Sequence, residues 1–525
     1  MRIAFAACLT ALSLVAGVSP VLAQSQEERG QRWIERIAVL SDDAMEGRGT
    51  GTPGHERAAA YVVGELERLG LQPAGSDGWY QPIRFVQQTI VLDGSSAVLT
   101  VAGQSRDLSL IADAAVWPDA PLPASVDDAE LVFVGYGLHM PSSGYSDLDG
   151  VDLTGKIAVY INGAPSGMPS LTLTHARAQR NRNLAARGAV GAITLVAPPT
   201  DPVAFWDNVR RAAADPGFFA EDPSATPFLE VLLHPDQGPA LFAGAPRSLD
   251  QIFADARASR PQTSFPLDAR LSGRFATDVG RIVTSPNVVG CLPGSDPALA
   301  DEYVVMTSHL DHVGIGTPVN GDAIYNGALD NASGVAAQLD IAEQLMALRP
   351  RRSVLFVFVT AEEKGLLGSR AFVSNPTVPR DSIVANLNYD MALPIIPLTG
   401  VNVLGATEST IGDHARAVGA EQGLPLTPDP FPAENRFIRS DQYSFIAAGI
   451  PAVAFKFGFR ADTPEAAAIR AFNETHYHKP SDDLATTQPR VEDEIRLHDF
   501  IVALALRVAN APERPTWNAD SIFRQ

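Results

Sequence analysis

The chain has 525 residues, 46% of them hydrophobic and 19% charged, with a formal net charge of −20. That length supplies material for more than one buried core. The acidity argues against nucleic acid and anionic membrane surfaces as partners, and its simplest use is to keep an exported chain soluble.

Met1-Arg2 precedes an apolar run from Ile3 to Val18, and Val21-Leu22-Ala23 ends in the small-residue pattern of a cleavage site. Residues 1–23 therefore read as a secretory signal peptide, with Gln24 as the mature start and a periplasmic or secreted destination. The run is short for a membrane span and no later stretch is long enough to be one, so no membrane association is expected after cleavage. Cys8 leaves with the leader, and Cys291 alone allows no internal disulfide.

The Gly/Thr/Pro cluster at 47–54 predicts a loop, and residues 55–69 an amphipathic helix stopped by Gly70. His55 reads as a solvated residue near the helix start. Arg48 either holds this amino-terminal arm against a core or lies in a surface loop. From about 115 to 275 the pattern changes to short β runs broken by glycine, at 130–137 and 150–160, with a small-residue helix and strand at 185–193. His139, His175 and His234 match no ligand spacing and read as structural or exposed. The Pro-, Ala- and Asp-rich segment 201–265 gives the weakest pattern.

A strand at 285–290 leads into the turn Pro293-Gly294, with Cys291 as a small apolar residue. Three apolar strands then each stop at polar residues. Residues 304–308 deliver His309-Leu310-Asp311, residues 354–359 deliver Glu362-Glu363, and residues 383–389 deliver Asp390. Between the first two, Asp330-Asn331-Ala332-Ser333-Gly334 opens an Ala-rich helix to Leu348. Apolar strands alternating with helices imply a largely parallel sheet covered on both faces, whose ligands sit beyond the carboxyl ends of the strands. Side chains alternate along a strand, so His309 and Asp311 point the same way. Carboxylates with imidazole and no nearby thiolate suit zinc, or a harder ion such as manganese or cobalt. Asp330 alone is as readily a helix N-cap, the commoner role at such a place. Glu362 and Glu363 repel each other unless a cation or a proton intervenes.

Farther on, a strand is expected at 400–405, a helix with an exposed His414 at 408–423, a Pro-rich loop at 424–435 and a strand at 451–457. Arg439 grips a substrate carboxylate or, more commonly for an arginine, pairs with a scaffold acid. A long helix at 489–510 closes the chain before a tail, 511–525, that docks or frays.

Taken together and in this order, His309-x-Asp311, Asp330-Asn331-x-Ser333-Gly334, Glu362-Glu363, Asp390 and His478 before Lys479-Pro480 resemble the co-catalytic zinc peptidases of family M-28. The flanks at 308–314, 361–369 and 477–483 resemble it too, as does Glu46-Gly47-Arg48 ahead of the first helix. The family includes bacterial aminopeptidases and glutamate carboxypeptidase. The resemblance implies the zinc exopeptidase fold, an α/β architecture with a mixed, mostly parallel sheet flanked by helices. It also implies two Zn2+ ions: one on His309 and Asp390, the second on Glu363 and His478, with Asp330 bridging. Glu362 matches the general base and Asp311 the carboxylate that orients His309. His478 is preferred to His476 because it directly precedes Lys-Pro, and His312 takes a supporting place only. Tyr477 stands where some relatives donate to an oxyanion, although a tyrosine beside a ligand also simply packs. Arg439-Ser440-Asp441 resembles the family's Ser-Asp segment beside the substrate pocket.

Residues 115–275 resemble a protease-associated domain, inserted in a catalytic domain of residues 24–114 and 276–510. The implied activity is exported aminopeptidase hydrolysis of peptides. Rivals are a glutamate-releasing carboxypeptidase, a glutaminyl cyclase-like transferase, and a non-catalytic binding protein of the transferrin-receptor kind.

Overall fold

In the strand Ser353–Val359 every residue is buried, with no polar alternation, because both faces of the sheet are covered. In this computed structural model, which describes residues 25–222 and 225–524, that strand lies next to Tyr303–His309, followed by Ile383–Asn388 and Ala452–Phe457, all parallel. The proposed leader, residues 1–23, lies outside the described residues. Val354, Phe356 and Phe358 point into a core shared with the helices Gln26–Leu40, Pro53–Leu69, Ser333–Leu348 and Val491–Asn510. Leu355, Val357 and Val359 point the other way, into a core with Phe372, Phe445 and Phe523.

Within this sheet, among the described residues, parallel pairing is confined to these four central strands. Thr277–Leu292 pairs antiparallel with Ser353–Val359 on one side and with Tyr80–Ile90 on the other, and Val401–Leu404 pairs antiparallel with Ala452–Phe457 at the opposite edge. The fold is thus mixed α/β, and the parallel part of this first sheet lies where the polar strand ends converge.

A second sheet of eight strands has its own apolar core, built on Leu131, Phe133, Ile157, Val159, Leu229 and Leu271. Its membership does not follow a single break at residue 115. Ser96–Val101 and Gln104–Leu108 pair into this second sheet, whereas Gly217–Ala220 returns to pair with Tyr80–Ile90 of the first. The reason is the long ribbon of Tyr80–Ile90 with Thr277–Leu292, which carries the chain out of the first sheet before residue 96 and back after 274.

Several local expectations change. Helix Pro53–Leu69 is capped by Thr52 and ends at Gly70, whose φ of 80° favours glycine. Its His55, however, is fully buried, with Nδ1 3.1 Å from Ser285 Oγ, and burial followed by the nearby Arg48 charge pushes it down to about 3. The start of this helix packs so closely on the preceding turn that a Cβ on Gly54 would meet the Met45 carbonyl oxygen at 2.0 Å. His414 is half-buried and its helix begins at Ile411. The tail docks: Trp517 Nε1 donates to the Gly449 carbonyl at 2.9 Å, and Phe523 packs edge-on against Phe437. Among the described residues no helix is long and apolar enough to cross a membrane.

Candidate active site

His309 is the last residue of its strand, Asp390 follows Ile383–Asn388 by two residues, and Glu362-Glu363 follow Ser353–Val359 by three and four. The three carboxyl ends therefore deliver their side chains to one place. His309 Nε2 lies 3.2 Å from Asp330 Oδ1 and 3.4 Å from Asp390 Oδ1. His478 Nε2 lies 2.9 Å from Glu363 Oε2 and 3.2 Å from Asp330 Oδ2. Asp330 thus turns one carboxylate oxygen toward each group.

Asp330 does not cap the helix that follows. Helix Ser333–Leu348 has Ala332 at its N-cap with no side-chain bond, and the neighbouring Asn331 accepts the Gly334 amide at 3.2 Å through Oδ1. Asn331 Nδ2 also donates to the Tyr389 carbonyl at 3.1 Å, tying the loop to the strand end beside Asp390. With the local amides satisfied by other side chains, the Asp330 carboxylate is left to face the strand ends.

The donor set fits divalent cations. Three groups of potential ligand atoms each fall within 4.8 Å of one another: His309, Asp330 and Asp390; His312, Asp330, Glu363 and His478; and His309, Glu362 and Glu363. Asp330 Oδ2, Asp390 Oδ1 and His478 Nε2 are buried and close to one another's groups, yet among the described residues none of these contacts has hydrogen-bond geometry, a costly arrangement for polar atoms unless a cation satisfies them. His309 Nδ1 is 3.0 Å from the Asp311 carbonyl oxygen, to which it donates; that fixes the tautomer and leaves the Nε2 lone pair facing Asp330 and Asp390. Burial, reinforced by Asp441, Asp390 and Glu363, lifts the Glu362 carboxyl well above its usual range despite the opposing His309.

Asp311 acts differently from the expected contact. Its backbone carbonyl, not its carboxylate, holds His309. The carboxylate accepts the amides of Glu362 and Glu363 at 3.0 and 3.4 Å and the Thr50 hydroxyl at 3.1 Å. The strand end turns so that the main chain reaches the imidazole first, and the side chain anchors the two glutamates. His312, given only a supporting place by the sequence, is fully buried with Nδ1 2.8 Å from Glu363 Oε1, inside the cluster. His476 points elsewhere, with Nδ1 3.0 Å from Ser481 Oγ.

Beside these groups opens a cavity of about 380 Å³ lined by His309, Glu362, Asp390, Met391, Phe457 and Tyr477 among others. The Tyr477 ring stacks on His478 with centroids 3.8 Å apart and remains 37% exposed. Arg439 is exposed on the cavity wall, and among the described residues no carboxylate pairs with it. Ser440 accepts the Asn388 amide at 3.0 Å. Asp441 is fully buried beside Ser369, and burial, only partly opposed by His309 and Ser369, pushes its carboxyl up to about 7.

Three contributors carry no ligand-like signal in the sequence. Arg48 is fully buried and donates to the carbonyls of Leu40, Leu310, Asn326 and Gly327 at 2.6 to 2.9 Å, bracketing the His309 and Asp330 segments. Asp482 accepts the amides of Leu329 and Asp330. Lys456 donates to the carbonyl oxygens of Asp390 and Met391. All three hold main chain: of the two alternatives the sequence left for Arg48, holding the amino-terminal arm against the core is the one found, whereas Asp482 and Lys456 were signalled only as charged residues within a motif-bearing and an apolar segment.

Residues 287–499 match the model of Peptidase family M28. The chain is 29% identical over 256 residues to leupeptin-inactivating enzyme 1 of Streptomyces exfoliatus, covering 47% of this chain and 53% of that protein. It is 28% identical to probable leucine aminopeptidase 2 of Aspergillus oryzae, over 38% of this chain and 40% of that one. The chain thus spans about half the length of these curated relatives or less. Among solved structures, the aminopeptidase from Aneurinibacillus sp. strain AM-1 aligns over 92% of this chain and 95% of its own, with 21% identity and a TM-score of 0.43. Over residues 287–499, then, the chain is similar to peptidase family M28.

Proposed function

We propose that this protein is an exported zinc-dependent aminopeptidase that hydrolyses amino-terminal residues from peptides. The observation that carries the reading is Asp330, whose two oxygens face His309 and Asp390 on one side and Glu363 and His478 on the other. In this reading His309 and Asp390 hold one Zn2+, Glu363 and His478 the second, and Asp330 both. Bound zinc would supply an acidified water and a polarised scissile carbonyl. Glu362 takes the proton of the attacking water and returns it to the departing amine. Asp311 positions Glu362 and Glu363 through their amides, and Tyr477, on the cavity wall, donates to the developing oxyanion. Export rests on the leader pattern at 1–23.

The second sheet is read as an inserted protease-associated domain. Supporting a role at the site, its Ser170 and Thr174 accept from Asn435 at 2.9 and 3.0 Å, and His175 Nδ1 lies 3.0 Å from Tyr443 Oη, so it contacts both flanks of the Arg439-Ser440-Asp441 segment.

One observation favours a second reading: Arg439, without an acidic partner among the described residues, is placed to receive a substrate carboxylate, as a glutamate-type carboxypeptidase requires. Metal analysis of the protein, expected to give two zinc ions per chain, is combined with a panel of aminoacyl p-nitroanilides and of amino-blocked and carboxyl-blocked peptides. Cleavage of the anilides and of carboxyl-blocked peptides is the expected result. Cleavage confined to amino-blocked peptides overturns it in favour of the carboxypeptidase. Cyclisation of amino-terminal glutamine without hydrolysis points to the transferase, and inertness of the zinc-loaded protein to the binding protein.

A further inference from the structure

The cavity beside Glu362 and Asp390 has a neighbour. A second cavity of about 540 Å³ lies against it, walled by Asn402, Leu426, Thr427 and Phe437 and reaching Leu171 of the second-sheet unit. Leu404 and Arg436 line both spaces. Leu404 closes a strand and is buried, so it is fixed by the sheet. Arg436 is a long side chain from a short loop turn, held by contacts it can lose.

Those contacts are specific. Arg436 Nη2 pairs with Asp429, the two side chains being 17% and 20% exposed, and lies 3.5 Å from Asn402 Oδ1. Its guanidinium carbon sits 5.5 Å from the centre of the Phe431 ring, over which Arg470 also lies at 4.7 Å. Phe431 in turn meets Phe459 edge-on at 5.7 Å, and both rings line the first cavity. Arg436 Nε is buried and unpartnered, so the group is not locked by a full set of hydrogen bonds. An arginine laid over an aromatic wall and tied at one end by a carboxylate is bulk in the plane between two cavities.

We propose that the Arg436–Asp429 pair is the partition that sets the upper size of the side chain accepted at this site. The chemical class admitted is an apolar amino-terminal residue: Met391, Leu393, Phe431, Phe457, Phe459 and Ile469 line the first cavity up to the arginine. Leucine-sized groups fit short of the partition and two-ring groups meet it. This inference rests on the aminopeptidase reading of the cavity, since it takes the cavity as the place of the amino-terminal side chain.

The test is the ratio of kcat/KM for tryptophanyl over leucyl p-nitroanilide in the zinc-loaded protein. R436A, which merges the two spaces, is expected to raise that ratio by at least about tenfold, the scale on which apolar pockets discriminate by size. R436K, which keeps a long side chain and the ion pair with Asp429, is expected to stay within about threefold of the wild type, because a tied wall remains. Should R436A not yield folded protein, D429A unties the guanidinium without shortening it, and a rise in the same ratio is expected. Titration calorimetry with leucinamide and tryptophanamide reads the same preference as an affinity ratio, without turnover. A protein that shows the shift in binding but hydrolyses nothing sinks the aminopeptidase reading and leaves the partition standing. Unchanged ratios in R436A or in D429A, by both measurements, overturn the partition, as does a shift in R436K as large as that in R436A.

Discussion

The Asp482 carboxylate accepts the backbone amides of Leu329 and Asp330 at 3.0 and 2.9 Å, although Asp482 follows His478 and stands 152 residues from Asp330. The segment that brings His478 to the cluster therefore also sets the main chain of the residue shared by both halves of it. Replacing Asp482 by Asn turns one acceptor into a donor facing a buried N–H. We expect Asp482→Asn to lose about 1–3 kcal/mol of stability. Zinc affinity should fall about 10- to 100-fold, as when a ligand's support is removed. Chelator competition and chemical denaturation measure the two; wild-type values in both would mean that the loop holds its shape without this carboxylate.

Glu362 belongs to the cluster yet is the acid whose amide is held by Asp311 and whose carboxyl faces the cavity. For Glu362→Gln the expected outcome is full zinc content with kcat reduced by about 10²- to 10⁴-fold, the range for loss of a general base. Metal analysis and turnover of the same preparation decide it. Turnover retained by the zinc-loaded variant removes Glu362 from the role of base.

Arg48 joins the amino-terminal arm to both ligand-bearing loops through four carbonyl oxygens. Truncation leaves these acceptors buried and unpaired, so Arg48→Ala is expected to destabilise by at least about 3 kcal/mol. Arg48→Lys should recover little, because a single ammonium cannot span the fork that a guanidinium fills. Denaturant midpoints measure both variants, and a lysine variant of wild-type stability contradicts the argument.

The parts legible in the sequence are those with an unbroken local pattern. The runs at 304–308, 354–359 and 383–388 are strands because they are short, largely apolar and free of charge, and the residues that end them meet because a parallel sheet brings its carboxyl ends to one edge. What the sequence did not disclose depends on partners distant along the chain. His55 looks like a solvated helix start, and its burial is set by Ser285, 230 residues away. Asp330 looks like a helix cap until Asn331 and Asp482 take over the local amides. The sheet membership of 96–108 and 217–220 follows from the path of one long ribbon, which no local period encodes.

A last group lies away from the cavity. His498 is fully buried, with Nδ1 2.9 Å from Asp340 Oδ2 and Nε2 3.3 Å from Glu494 Oε1, and Arg29 grips Asp340 from the amino-terminal helix at 2.7 Å. Burial alone lowers an imidazolium, but the bonds to Asp340 and Glu494 outweigh it and raise His498 to about 9. Burial likewise raises Asp340, and His498 with Arg29 outweighs it to hold that carboxyl below its usual range. The signs differ. The histidine contribution is complete below its unfolded value of about 6.5 and is lost as pH rises through about 9. The aspartate contribution is complete above about 3.8 and is lost on acidification. Both are in force near pH 6, where His498→Gln should cost at most about 3 kcal/mol. The difference in melting temperature between wild type and His498→Gln should therefore be largest near pH 6 and shrink toward about pH 9.5. A difference that does not change across that window would mean that His498 is neutral in the fold, and that Arg29 alone balances Asp340.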